Sequence, residues 1–207
     1  MNRRASVLAE LLSERRSVRR FGPEPVPRGL LLKILDAGRL APSPTNTQPW
    51  YFLVISGTDT LKASRIMARR VPAIRLPGFQ AIAADAVRVL EEAPHVIAVW
   101  NVGRLSRRLR KIKDLIGTSY YRSYERAERD GVACAVENMW LMAQALGLGM
   151  VWIMPDAACA RRFSRAFGVD GTIAALLPVG YPAPGPPAER TARKPLEEIS
   201  GFFGPRR

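Results

Sequence analysis

Apolar and polar residues along the chain follow two periods, one typical of amphipathic helices and one typical of buried strands. Helical spacing appears in residues 6–14, in a segment that carries Leu31 and Ile34 and stops at Pro42, and in residues 59–70 and 79–92. Continuous apolar runs of strand length cover residues 50–55, 96–100, 151–153 and 173–181. The pattern therefore predicts short buried strands separated by helices.

One predicted helix, residues 131–146, is apolar on nearly every side. A helix of this kind is buried over most of its surface, so Cys134 within it is expected to lie in a core. Gly147 follows in the usual position of a glycine just past a helix end. Asp156 is a good N-cap for a further helix that reaches Phe167.

The length of 207 residues suggests one domain, and 47% apolar residues are enough for a substantial core. We therefore treat residues 1–207 as a single domain. The two cysteines, Cys134 and Cys159, form no disulfide framework, and no metal-ligand spacing surrounds them. No apolar run approaches the roughly 20 residues of a membrane span, and no signal peptide is evident. We expect a soluble protein of the reducing cytoplasm, without a metal site.

The net charge of +14 is unusual and favours anionic partners of some kind. Much of this charge lies in a basic segment, residues 104–113, at Arg104, Arg107, Arg108, Arg110, Lys111 and Lys113. The segment is either a solvated helix face or an anion-binding surface. No zinc-ligand set or aromatic RNA-binding signature accompanies it, so nucleic acid is not the expected partner. The single histidine, His95, precedes an apolar strand, and we interpret it as structural.

Two segments in the first fifty residues carry the candidate chemistry. Residues 15–19 read Arg-Arg-Ser-Val-Arg, and guanidinium groups bind phosphate through paired hydrogen bonds. Residues 41–50 form a turn-rich loop with the side-chain amides of Asn46 and Gln48. Amides on a rigid loop can read an edge with both donors and acceptors. Together these groups suit flavin mononucleotide (FMN), which has a phosphate at one end and a heteroaromatic edge at the other. The alternatives are a solvated basic helix end and a self-bonded turn.

These motifs and others, in this order, resemble the nitroreductase family of FMN enzymes. The matching pieces are Arg15-Arg16-Ser17-Val18-Arg19-Arg20-Phe21, Pro25-Val26-Pro27, Ala41-Pro42-Ser43 with Asn46 and Gln48-Pro49-Trp50, Val136-Glu137-Asn138, Ala145-Leu146-Gly147-Leu148-Gly149, Leu177-Pro178-Val179-Gly180-Tyr181-Pro182 and Arg193-Lys194-Pro195-Leu196-Glu197-Glu198. Each piece alone is weak, whereas seven in register make the resemblance specific. It spans about residues 6–60 and 130–199.

The resemblance implies an α+β, three-layer fold in which helices flank a central, mostly antiparallel sheet, assembled as an intertwined homodimer. Each FMN would lie in the dimer interface and contact both chains. Its phosphate, ribityl chain and pyrimidine side would be held by Arg15, Arg16, Ser17 and Arg19. The loop of the other subunit would supply Pro42, Ser43, Asn46 and Gln48. Arg193 would return to the phosphate, and Met154 lies where the family places backbone N–H groups near the reactive flavin nitrogen.

The implied activity is oxidation of NAD(P)H coupled to reduction of nitroaromatics, quinones or enones, by ping-pong hydride transfer at one flavin face. No catalytic side chain is needed beyond the flavin itself, and Arg19 would stabilise the charge of the reduced flavin. This chain departs from the family at Met154-Pro155, where proline lacks an N–H, and at Thr191, which replaces a basic residue. Residues 61–129 would carry a variable lid, and residues 182–207 an extended tail.

Two further interpretations stay open. One is a specialised family member that acts as an oxidase or dehydrogenase, for example in cyclic-dipeptide desaturation, that dehalogenates, or that modifies the flavin itself. The other is a non-enzymatic binder of nucleic acid or anionic surfaces, motivated by the net charge. In the enzyme, residues 104–113 could bind the phosphate of NADPH. Tyr120, Tyr121 and Tyr124 either cover the flavin or pack against the dimer partner.

Overall fold

The computed structural model describes residues 2–185 and 191–203. In these ranges the helices are α1 (Arg3–Glu14), α2 (Arg28–Arg39), α3 (Thr58–Ala68), α4 (Pro77–Glu92), α5 (Arg104–Leu109), α6 (Lys113–Ile116), α7 (Thr118–Ala145), α8 (Ala157–Phe167) and α9 (Leu196–Ile199). The strands are β1 (Trp50–Ser56), β2 (His95–Asn101), β3 (Gly149–Met150) and β4 (Thr172–Gly180). Short 3-10 turns lie at Pro44–Asn46, Val71–Ala73 and Arg110–Ile112.

The described strands form one four-stranded antiparallel sheet in the order β1-β2-β4-β3. β2 pairs with β1 along its whole length and with β4 on its other side. The register of the second pairing shifts between Val99 and Trp100. The longest pairings therefore lie in the middle of the sheet, while β3 forms a short edge.

Each face of the sheet carries its own hydrophobic core, so the architecture has three layers. On one face α2 and α7 pack against Ile97 and Val99 of β2. On the other face α3, α4 and α8 cover Val96 and Ala98. Because β2 alternates between two cores, its residues 96–100 are apolar without interruption, as is typical of a strand buried on both faces. The predicted α+β fold, with helices on both sides of an antiparallel sheet, is confirmed.

α7 is longer than the sequence pattern indicates, because it begins at Thr118 rather than near residue 131. The additional turns are stabilised by local contacts: the rings of Tyr120 and Tyr124 pack edge to face, and Tyr121 donates a hydrogen bond to Glu125. Side-chain pairs at this spacing stabilise a helix without core packing. The first turns of α7 therefore show no apolar stripe in the sequence. In the part of the chain that the structure describes, no helix is both long and apolar enough to cross a membrane.

The prediction that Cys134 lies in a core is wrong, since this side chain is exposed. The buried stripe of α7 passes through Val132, Ala135 and Val136 instead. Residue 134 falls between these positions on the helix and points away from the core. The apolar character of α7 thus extends beyond the face that one chain buries.

The predicted strand 151–153 is also displaced, because the third strand is Gly149–Met150. Beyond it, Ile153 forms only an isolated bridge with Leu176 of β4. Val151 and Ile153 are buried. The apolar run at residues 151–153 therefore reflects burial in a core rather than continuous strand pairing.

The stretch 61–129, interpreted above as a variable lid, includes β2 at the centre of the sheet. The portions outside the sheet are most of α3, all of α4, and the helices that follow β2. After β2 the chain forms α5, α6 and the first turns of α7, and then enters the apolar part of α7.

His95 has the structural role that its position predicts. Its Nε2 accepts a hydrogen bond from the Val26 N–H at 3.1 Å, and its Nδ1 lies 2.6 Å from the Ser56 hydroxyl. A ring nitrogen that accepts from an N–H carries no proton, so this arrangement requires the neutral ring. Burial lowers the pKa of His95 from its ordinary value.

We predict that the free energy of unfolding decreases as the pH falls below about 6.5, the ordinary pKa of histidine. In that range the unfolded chain binds a proton that the folded chain does not, so stability rises with pH. Urea denaturation at a series of pH values measures this slope. His95→Gln should flatten it, and should cost about 1–3 kcal/mol at neutral pH through the lost buried hydrogen bonds. An unchanged slope in the variant would assign the effect to carboxylates.

Candidate functional site

The arginine-rich segment 15–21 is extended and lies against the edge of the sheet beside β3. The Val18 N–H donates to the Met150 carbonyl at 3.0 Å, and Ser17 forms a parallel bridge with Met150. Gly149 permits this close approach, because a Cβ at that position would lie 2.6 Å from the Val18 side chain. The sheet therefore fixes the backbone of this segment independently of any ligand.

The Arg15 side chain is 19% exposed, whereas that of Arg19 is 52% exposed. The Arg15 guanidinium carbon lies 4.2 Å from the centre of the Trp140 ring, and its Nε lies 3.9 Å from a carboxylate oxygen of Glu137. Its Nη1 is buried and has no hydrogen-bond partner within residues 2–185 and 191–203. A buried donor without an acceptor is costly. The phosphate of FMN is a ligand that would satisfy it.

Arg16 is directed back to its own helix. Its Nη1 donates to the carbonyl oxygens of Ser13 at 2.8 Å and Arg15 at 2.7 Å. These bonds satisfy carbonyl groups at the C-terminal end of α1, as basic side chains there commonly do. Arg16 therefore shapes the start of the arginine-rich segment, in addition to any ligand contact that its remaining N–H groups make.

Arg19 and Met154, both predicted to lie beside the flavin, line the same cavity of about 320 Å³. Much of the remaining wall is apolar and comes from Met67, Phe79, Ile82, Val89 and Trp152. Arg19 Nε lies 3.9 Å from an oxygen of Asp85, which Arg88 binds at 2.6 Å. A cation at the border of a mainly apolar cavity suits a flat aromatic ligand that carries charge on one edge.

The loop 42–48 has a strained backbone. Thr45, Asn46 and Gln48 have positive φ angles of 48°, 56° and 47°. Such angles are uncommon for residues other than glycine and are a genuine outlier for β-branched threonine. Strain of this kind persists only where the surroundings determine the conformation, and it concentrates at functional sites.

Backbone contacts hold this loop and leave its amide side chains available. The Gln48 N–H donates to the Ser43 hydroxyl at 2.9 Å, and the loop packs on α7 at Gly131, where a Cβ would lie 3.2 Å from the Pro42 carbonyl oxygen. Within the described residues, the side-chain amides of Asn46 and Gln48 form no hydrogen bond. The self-bonded turn therefore accounts for the backbone and for Ser43, but not for the two amides.

A second, more polar cavity of about 470 Å³ separates this loop from α5. Its lining consists of Thr45, Asn46, Thr47, Gln48, Arg104, Leu105 and Arg108. The basic segment is thus not a uniform solvated face, because two of its arginines border the loop that was predicted to contact the cofactor. Sequence reasoning missed this juxtaposition, since no periodic pattern connects residues so far apart in the chain.

The groups predicted to share one flavin lie on two parts of one chain. Arg15 contacts α7 at Glu137 and Trp140, whereas the loop 42–48 packs on α7 at Gly131. Glu137 follows Gly131 by six positions, so the two residues are about 9 Å apart along the helix axis. Within the described residues, no hydrogen bond or ion pair joins the loop to the arginine-rich segment. A single chain thus presents two partial sites on one helix.

Arg193 is described in the C-terminal tail, where it is exposed and its Nη1 donates to the Thr191 hydroxyl at 3.3 Å. No described contact joins it to Arg15. Burial raises the pKa of the Cys159 thiol to about 11, so this thiol is protonated at neutral pH. In the described ranges no group of three or more His, Cys, Asp or Glu side chains is placed to hold a metal ion.

Comparison with known proteins shows what this chain is similar to. The Nitroreductase family model matches residues 12–181. NADH dehydrogenase of Thermus thermophilus is 31% identical over 193 residues, which cover 90% of this chain and 91% of that protein. Iodotyrosine deiodinase 1 of Rattus norvegicus is 26% identical over 214 residues, which cover 96% of this chain and 70% of that protein. A nitroreductase structure from Desulfovibrio desulfuricans, solved in complex with FMN, superposes with a TM-score of 0.65 at 26% identity, covering 93% of this chain and 94% of that one.

Proposed function

Because the chain belongs to the nitroreductase family, we propose that it is an FMN-dependent oxidoreductase that uses NAD(P)H to reduce nitroaromatic, quinone or enone acceptors. The observation that carries the proposal is the buried Nη1 of Arg15, which lacks an acceptor in the described chain. FMN supplies the redox chemistry when bound, since its ring accepts a hydride from NAD(P)H and passes two electrons to an acceptor.

The arginine-rich segment is proposed to bind the FMN phosphate. Arg15 brings a guanidinium that is partly withdrawn from water, where a charge-assisted hydrogen bond is stronger than at an exposed site. Ser17 adds a hydroxyl from a backbone that β3 holds in place. Arg16 and Arg193 are proposed as further phosphate contacts, with Arg193 supplied by the tail after the site assembles.

Arg19 is proposed to stabilise negative charge on the pyrimidine side of the flavin. It borders the 320 Å³ cavity together with Met154, and its Nε is 3.9 Å from Asp85. The carboxylate orients the guanidinium and also offsets part of its charge. Pro155 has no N–H to offer, so any backbone donor at this point must come from Met154 or from a neighbouring residue.

A homodimer is proposed because the chain exposes apolar surface that a second copy would cover. None of the residues of α1 is buried, although Val7, Leu8 and Leu12 form an apolar face that is about half exposed. In the tail, Phe202 and Phe203 are fully exposed. A twofold interface would bury both elements, and it would let the loop 42–48 of one chain reach the FMN held by the other.

A second candidate is a reductive dehalogenase, favoured by the similarity to iodotyrosine deiodinase 1. It would use the same cofactor site and differ only in the acceptor. The oxidase, desaturase and flavin-modifying alternatives have no feature of the described chain in their favour. A reducing compartment such as the cytoplasm fits the two free cysteines, Cys134 and Cys159.

The central prediction is that the purified protein is yellow, releases FMN on denaturation, and is bleached by NADH or NADPH under anaerobic conditions. A quinone or a nitroaromatic should then restore the oxidised absorbance spectrum. An acceptor panel that includes a halogenated phenol separates the reductase from the dehalogenase. Protein that takes up FMN but is bleached by neither nicotinamide would instead support an oxidase or dehydrogenase that acts on an organic donor.

Arg15→Ala should weaken FMN binding by about 1.5–3 kcal/mol, the usual contribution of a hydrogen bond to a charged group. Fluorescence titration of the apoprotein with FMN measures the change. Arg20→Ala is the matched control, because it removes the same charge from the same segment at an exposed position. Equal losses in both variants would reduce the effect to general electrostatic attraction and contradict the assigned role of Arg15.

For the dimer, we predict that light scattering of the FMN-loaded protein gives twice the mass of one chain at micromolar concentration. Val7→Glu combined with Leu8→Glu should weaken association, because it places carboxylates in the proposed interface. The control is Leu115→Glu, at a position that is 86% exposed on α6. A monomer that retains FMN would contradict the shared site.

A further inference from the structure

The cavity between the loop 42–48 and α5 adds positive charge beside Asn46 and Gln48, the residues that are also expected to border FMN. Two cations border it, Arg104 and Arg108, which lie one helical turn apart on the same face of α5. Neither forms an ion pair within the described residues. Arg107 lies between them in sequence and differs in this respect, because its guanidinium binds both carboxylate oxygens of Asp170. Uncompensated positive charge is thus confined to the cavity side of the helix.

A buried carboxylate holds the backbone at the start of α5, the helix that carries these two arginines. Glu128 of α7 is fully buried and accepts hydrogen bonds from the backbone N–H groups of Leu105 at 2.7 Å and Ser106 at 3.2 Å. The start of α5 is also held by the Asn101 side chain, which accepts from the Gly103 N–H at 2.8 Å. The helix backbone is thus held in place, whereas the side chains of Arg104 and Arg108 are exposed.

The opposite wall consists of polar groups, of which the Thr45 hydroxyl donates to the Pro44 carbonyl at 2.8 Å. The Thr47 hydroxyl oxygen is buried and has no hydrogen-bond partner in the described chain. The amides of Asn46 and Gln48 are unpaired there as well. The Thr47 hydroxyl and the two amides can each donate a hydrogen bond. The lining contains no carboxylate that would repel an anion. Two guanidiniums opposite hydroxyl and amide donors are matched to a ligand with several oxygen acceptors and a charge near −2.

We propose that this cavity binds the phosphate monoester that distinguishes NADPH from NADH, and thereby makes NADPH the preferred reductant. A phosphate monoester carries a charge of about −1.5 to −2 at pH 7, and each guanidinium can bind it through two parallel hydrogen bonds. The inference rests on the proposed function, in which the loop 42–48 also borders the cofactor of the other subunit. A reductant at that cofactor would then approach the loop that shares a cavity with Arg104 and Arg108.

The test compares the Arg104→Ala, Arg108→Ala double variant with Arg107→Ala, which removes a charge from the same helix at a compensated position. With a neutral quinone as acceptor, kcat/KM for NADPH should fall about tenfold or more in the double variant, as expected when charge-assisted bonds to phosphate are lost. The value for NADH should change by less than about twofold. Arg107→Ala should leave the ratio of the two values unchanged.

A binding measurement that needs no turnover accompanies the kinetics. Calorimetric titration of the FMN-loaded protein with 2′,5′-adenosine bisphosphate should show tighter binding than titration with adenosine 5′-monophosphate. The double variant should abolish that difference and Arg107→Ala should preserve it. If the protein holds no flavin, or neither nicotinamide reduces it, the proposed function fails, while the same titration on the protein as purified still decides the phosphate site.

Three results would overturn the inference. The first is wild-type protein that binds both adenosine phosphates equally. The second is loss of FMN from the double variant, which would assign the cavity to the flavin phosphate. The third is a change in the preference for 4-nitrobenzoate over neutral nitrobenzene, with the NADPH to NADH ratio unaltered. That result would assign the cavity to an acidic acceptor, which shares oxyanion chemistry with the phosphate.

Discussion

The burial of β2 on both faces is the constraint on which the rest of this structure depends. Its alternate side chains enter two separate cores, so helices must cover both sides of the sheet. In one core α7 contributes most of the helical residues, namely Val132, Ala135, Val136, Met139, Trp140 and Ala143. Because α7 is packed on that face, the surface that it presents at Gly131, Glu137 and Trp140 has a defined position. One part of the candidate site lies on those surfaces, and the arginine-rich segment lies on the edge of the sheet.

The two partial sites follow from this arrangement. α7 offers Trp140 and Glu137 to Arg15, and farther along it offers Gly131 to the loop 42–48. Even the segment that carries Arg15 is anchored by the sheet, through Val18 and Met150. Rigid elements thus position each group, and the distance of about 9 Å between the two contacts on α7 separates them in one chain.

Sequence patterns predicted the elements that bury an apolar stripe. They also located the arginine-rich segment and the loop, because both consist of motifs that are local in sequence. These patterns failed where the structure depends on something other than the burial of an apolar stripe. The first turns of α7 are stabilised by tyrosine pairs on a solvated surface, and Cys134 is apolar yet lies outside the core stripe. Contacts between distant segments, such as Asp85 with Arg19, leave no periodic trace and could be found only in three dimensions.

The net charge of +14 does not show which cations are available to a ligand, because this depends on how the charges are arranged. Within α5 alone, Arg107 is neutralised by Asp170 while Arg104 and Arg108 are not. The unneutralised pair faces the loop 42–48, whose positive φ angles each cost about 1–3 kcal/mol. A glycine-rich turn could adopt this backbone without strain, but it would present neither the amides nor the Thr47 hydroxyl. The strained backbone therefore places these amides and the Thr47 hydroxyl in one cavity with two cations, and the proposed phosphate site uses both sets of groups.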